Sequence, residues 1–145
     1  MKYIIACLGN PLMGDDGFGP AVARELIKRG HRNVVFNSDP LNLLTQLDDV
    51  DLVIIVDAVN LGVEPGSLFV AKLDDVREIA PRSSHSLPVT EILKIMRKIL
   101  RKPMEVYIIG VQPARIEPGE DLTPPVQCAI KDAVLKIEEL IVEKN

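Results

Sequence analysis

A chain of 145 residues, 47% hydrophobic and 26% charged, carries enough apolar side chains for one buried core, and a single domain spanning 1–145 is expected. Its formal net charge of −4, with no basic patch, argues against nucleic acid or an anionic membrane as a partner. No apolar run approaches the roughly 18 residues of a membrane span, and the apolar part of MKYIIACLGNP is too short for a signal peptide, so a cytoplasmic location is expected.

The elements follow in chain order. Residues 3–9 (YIIACLG) form a short apolar run that ends in glycine, which predicts a buried strand. Pro20 suits the first turn of a helix, where its missing N–H has no intrahelical partner to lose. Val22, Ala23, Leu26 and Ile27 supply that helix with one apolar face, and Gly30 stops it. Residues 33–37 (NVVFN) predict a second strand and 41–47 a short helix. Residues 51–58 (DLVIIVDA) predict a third strand, apolar on both faces as parallel strands in covered sheets are. The next apolar run, 67–72 (SLFVAK), follows too soon for a parallel crossover, so the fourth strand should run antiparallel to the third. Residues 87–102 predict an amphipathic helix with Ile92, Ile95, Met96 and Ile99 on one face. Residues 105–112 (EVYIIGVQ) predict a fifth strand. After a loop rich in Pro and Gly, 125–143 close the chain as a helix with Val126, Ile130, Val134, Ile137 and Ile141 in one stripe. Strands alternating with helices imply a three-layer α/β/α domain around a mostly parallel sheet. Cys7 and Cys128 form no CxxC pair, which indicates neither a disulfide framework nor a thiolate zinc site; both read as small buried hydrophobes.

In open α/β sheets, ligands bind beyond the carboxyl ends of the strands. The first strand leads there into the glycine-rich stretch CLGNPLMGDDGFGP, with Asp15 and Asp16 in its middle. The third strand ends there at Asp57. Because the fourth strand is antiparallel, the segment after it must climb back to the same edge, and it brings SSHSLP and His85 along. Each residue also has a purely structural use: the aspartates at a helix start or a turn, the histidine in solvent. Together, two carboxylates and an imidazole make a ligand set for a divalent metal. The glycine-rich stretch is not a phosphate loop. It matches neither GxGxxG nor GxxxxGK[ST], and its acidic tip would repel phosphate. Ser83, Ser84 and Ser86 flank His85, but there is no GxSxG, and adjacency in sequence is not a catalytic triad. His31 is assigned no role.

These pieces, in this order, resemble the hydrogenase maturation endopeptidases, which trim the large subunit of nickel–iron hydrogenases. The resemblance rests on CLGNPLMGDDGFGP, on DLVIIVDAVNLGVEPG, on SSHSLP and on IIGVQPARIEPGEDLTPPV, and so covers nearly the whole chain. It implies a five-stranded mixed sheet of order 2-1-3-5-4 with strand 4 antiparallel. It implies that Asp16, Asp57 and His85 are the catalytic and metal-contacting residues, and that Asn10, Asp15 and Asp39 line the substrate groove. After strand two the family often has an acidic turn containing glycine; here the chain reads NSDPLN, with Asp39 in the acidic role and Pro40 in place of the glycine. The implied activity is removal of a C-terminal extension from the nickel-loaded precursor. The implied enzyme is an aspartic-type or substrate-metal-assisted endopeptidase with no intrinsic cofactor, contacting the nickel of its substrate. The implied partner is that large-subunit precursor. A monomer is expected, and a non-catalytic metal- or peptide-sensing chaperone on the same fold is the alternative.

Overall fold

The run LVIIVDA has apolar side chains pointing both ways, and it lies where both directions are covered. The computed structural model describes residues 1–37, 43, 45–75, 104–119 and 121–145. Five strands form one sheet: β1 (Tyr3–Leu8), β2 (Val34–Asn37), β3 (Leu52–Ala58), β4 (Leu68–Lys72) and β5 (Glu105–Val111). Their order is β2-β1-β3-β5-β4. β1 pairs parallel with β2 and β3, and β3 pairs parallel with β5. β4 pairs antiparallel with β5, as the short connection after β3 requires. Every residue of β3 is buried, as expected of the central strand.

Alternation along the strands divides the core in two. Ile5, Cys7, Leu52, Ile54, Val56, Tyr107, Ile109 and Val111 face two helices, α1 (Phe18–Lys28) and α2 (Pro124–Lys144). Ile4, Ala6, Leu8, Val53, Ile55, Val106 and Ile108 face the other way, toward Leu43, Leu47, Val50, Leu73 and Met104. The helix expected over 87–102 lies outside the described residues, as does most of the one expected over 41–47.

α1 rests directly on β1. A Cβ added to Gly19 would lie 2.0 Å from the Leu8 carbonyl oxygen, so only glycine lets the helix come this close. α1 ends at Lys28, and Gly30, just beyond its C-cap Arg29, has a φ of 92°, in the left-handed region that favours glycine. Two sequence expectations change here. Ile27 is 49% exposed, because it sits about 100° around the helix from Leu26, at the rim of the buried stripe. Cys128 is exposed on α2, while Cys7 is buried and its thiol pKa is raised by that burial. Helical phase explains the difference: Val126 and Ala129 turn inward and Cys128, between them, turns out. His31 acquires a structural partner, with Nε2 2.7 Å from Glu138 Oε2. Arg29 donates to the same carboxylate, so the end of α1 is tied to α2. Among the described residues, no helix is long and apolar enough to cross a membrane.

Candidate active site

The opening stretch bends as it leaves β1. Gly9 adopts a φ of 128°, and a Cβ there would lie 2.0 Å from the backbone oxygen of Asp16. Asn10 builds the next turn, its Oδ1 accepting the Leu12 N–H at 2.9 Å. A 3-10 turn, Gly14–Gly17, then presents both aspartates to the protein interior. Side chains one residue apart on such a turn point about 120° away from each other. Two identical neighbours therefore enter different surroundings.

Asp15 meets donors. Its Oδ2 accepts the N–H groups of Ala114 (2.8 Å) and Arg115 (3.0 Å) and the Thr123 hydroxyl (2.8 Å), and its Oδ1 accepts the Thr123 N–H at 2.7 Å. Burial alone would raise its pKa, but these bonds outweigh it and hold the carboxyl below its ordinary value. Asp15 is thus an ionised group whose charge is taken up inside the protein.

Asp16 points the other way. Its Oδ2 accepts the Asn10 N–H at 2.8 Å, and it lies close enough to Asp57 for its charge to be felt there. Asp57, the penultimate residue of β3, lies opposite Gly110 of β5 and is fully buried. Its Oδ1 accepts the Ala58 N–H at 2.9 Å. Its Oδ2 is buried with no hydrogen-bond partner among the described residues. Burial raises the Asp57 pKa well above the usual carboxylate range, and the Asp16 charge raises it further against the pull of the Ala58 N–H. A buried carboxylate with an unused oxygen lobe, beside a second carboxylate, suits either a divalent cation or the handling of a proton.

Gln112, just beyond β5, is a further buried polar residue at this edge. Its Oε1 accepts the Leu61 N–H at 2.7 Å, and its Nε2 donates to Asn60 Oδ1 at 3.0 Å and to the Pro113 carbonyl at 3.1 Å. It shapes the loop that leaves Asp57. The available signal was positional: like Asp57, Gln112 is a polar residue closing an apolar strand at the carboxyl edge. The structure therefore brings Asp16 and Asp57 together, with the Asn10 N–H bonded to Asp16 and the Asp15 carboxylate turned away toward Ala114, Arg115 and Thr123. Asp39 and His85 lie outside the described residues. Two open depressions of about 180 and 260 Å³ share Glu105 at the opposite edge of the sheet and contain none of these carboxylates.

A mixed sheet of this order, with buried carboxylates at the carboxyl ends of its central strands, defines the class: an α/β protein with an acidic centre. A family model described as hydrogenase maturation protease matches residues 23–140. The hydrogenase 3 maturation protease of Escherichia coli is 27% identical over 143 residues, covering 95% of this chain and 90% of that protein. The hydrogenase expression/formation protein HupD of Bradyrhizobium diazoefficiens is 30% identical over 142 residues, covering 92% and 74%. The nickel–iron hydrogenase maturation protease HybD of Thermococcus kodakarensis superposes with a TM-score of 0.83 at 26% identity, covering 97% of this chain and 99% of that one. The chain belongs to the hydrogenase maturation protease family.

Proposed function

We propose that this chain is the endopeptidase that removes the C-terminal extension of a nickel–iron hydrogenase large-subunit precursor once nickel has been inserted. The observation that carries this reading is the buried Asp57 carboxylate, with one oxygen unused among the described residues, next to Asp16 at the sheet edge where α/β proteins bind ligands. Asp16, Asp57 and His85 would contact the nickel of the precursor and hold the scissile peptide beside it. Oxygen and imidazole donors without thiolates make a weak, open site, which suits a metal that arrives with the substrate. Nickel is thus substrate here, and no resident cofactor is invoked.

The reaction is hydrolysis. A water polarised by the substrate's nickel, or deprotonated by Asp16, attacks the carbonyl carbon. The new C–O bond replaces the C–N bond, and the leaving amine takes up a proton. Burial and the Asp16 charge favour the protonated form of Asp57, and a cation at the site favours the ionised form, so cation binding and loss of a proton from Asp57 are coupled.

The test uses the purified chain with its cognate precursor, nickel-loaded and nickel-free, and reads the precursor's mass. Shortening only of the loaded form, lost in Asp16→Asn, Asp57→Asn and His85→Ala, is the expected result. No shortening by the unmutated chain refutes the protease reading, and binding without shortening would mark a sensing chaperone. Undiminished cleavage by all three variants refutes the site.

A further inference from the structure

The geometry points to Asp15 and Thr123 as a positioning pair that bolts the acidic turn to the start of α2 and so fixes where Asp16 stands. Thr123 is the residue that caps α2, and threonine there ordinarily bonds its own helix's free N–H groups. It has the usual extended backbone, φ −67° and ψ 154°, yet its side chain makes no capping bond. Its hydroxyl instead donates to Asp15 Oδ2 at 2.8 Å, and its N–H donates to Asp15 Oδ1 at 2.7 Å. The next two residues, Pro124 and Pro125, have no N–H to offer. The start of a 21-residue helix is thus committed to one carboxylate, whose charge the helix dipole also favours.

Backbone bonds extend the attachment. The Asp15 N–H donates to the Arg115 carbonyl at 2.9 Å, the Gly14 N–H to the Gly119 carbonyl at 2.9 Å, and the Gly119 N–H to the Leu12 carbonyl at 3.0 Å. The turn is therefore held on the Asp15 side by bonds to the 114–119 loop and to the start of α2. Asp16, the adjacent residue on the same turn, is left to face Asn10 and Asp57. Misplacing a reacting group by about 1 Å costs on the order of a hundredfold in rate, so a site on a loop needs such a brace. Asp15 does not touch the reacting atoms; it acts through Asp16.

The inference rests on the proposed protease reading for its kinetic consequence, but not for its structural one. Thr123→Val keeps the branched shape and the backbone N–H and removes only the hydroxyl; Thr123→Ser keeps the donor. Two quantities are measured on the full-length chain: precursor cleavage, and hydrogen exchange of the Asn10 amide, which is bonded to Asp16 Oδ2. Thr123→Val should lose at least tenfold in kcat with KM within about threefold, and Asn10 exchange should rise at least tenfold relative to the Ile109 amide of β5. Thr123→Ser should stay within about twofold of the unmutated chain in both. A role confined to helix stability would move the Ile109 and Asn10 amides together and leave kcat unchanged. Unchanged Asn10 exchange in Thr123→Val, or the same increase in Thr123→Ser, overturns the pairing. Asp15→Asn should act in the same direction more strongly, and if it does not fold, the Thr123 variants decide. Failure of the unmutated chain to cut its precursor would sink the protease reading, while Asn10 exchange would still judge the brace.

Discussion

Asp57→Asn should stabilise the chain while abolishing cleavage. In the folded protein the Asp57 carboxyl is fully buried beside Asp16, and its pKa is raised. In the unfolded chain it ionises at about 3.9. Between that value and the raised folded value, folding must take up a proton. The sign follows: the contribution of Asp57 to stability is fully present below the unfolded pKa and is lost as pH rises through the folded one. Asparagine carries no charge and escapes this loss. Its oxygen can keep the 2.9 Å bond from the Ala58 N–H. Its NH₂ then occupies the Oδ2 position, where no partner is present among the described residues, at a cost of about 1–3 kcal/mol. Burying the charge costs several kcal/mol, limited by the option of taking up a proton. The expected net gain at pH 8 is about 1–2 kcal/mol, or about 2–4 °C in Tm for each kcal/mol in a domain of this size. Thermal melts of both proteins from pH 4 to pH 8 should show a difference that widens with pH. A lower melting temperature for Asp57→Asn at pH 8, with a gap that does not change with pH, would refute the reasoning.

Three further outcomes are expected. Gly19→Ala sets a Cβ 2.0 Å from the Leu8 carbonyl oxygen, and since both sides are backbone the loss should reach about 3 kcal/mol in urea unfolding. Gly110→Ala meets the Phe69 ring at 2.2 Å and should cost about 1–3 kcal/mol; Phe69→Leu in the same chain should recover part of it, and strict additivity would show that the ring is not the obstacle. Thiol labelling of the native chain should add one adduct, at exposed Cys128, and a second only in denaturant; two rapid native adducts would contradict the burial of Cys7 and the raised pKa that makes its thiol unreactive.

Much of this molecule is written in local pattern. Each strand of the sheet is a short apolar run, and the buried parallel nature of β3 shows in LVIIVDA itself, because apolar side chains on both faces need two covering layers. The nine residues between β3 and β4 are too few for a parallel crossover, so chain length alone dictates the antiparallel strand. Asp16 and Asp57 are legible as candidates because a carboxylate that closes a buried strand, or interrupts a glycine-rich loop, departs from its surroundings. Asp39, His85 and the helix expected over 87–102 belong to the sequence reading alone, outside the described residues.

What the sequence does not contain is the difference between Asp15 and Asp16. They are identical and adjacent, and either fits a helix start. Only the tertiary structure separates them, because the donors that claim Asp15 come from Ala114, Arg115 and Thr123, about a hundred residues further along the chain. The same holds for Gln112, which matters through Asn60 and Leu61. It holds for Ile27 and Cys128, whose exposure depends on where the buried stripes of α1 and α2 end. Periodicity is a property of neighbours in sequence and can be read there. A buried carboxylate's partners are neighbours in space, and folding alone brings them together.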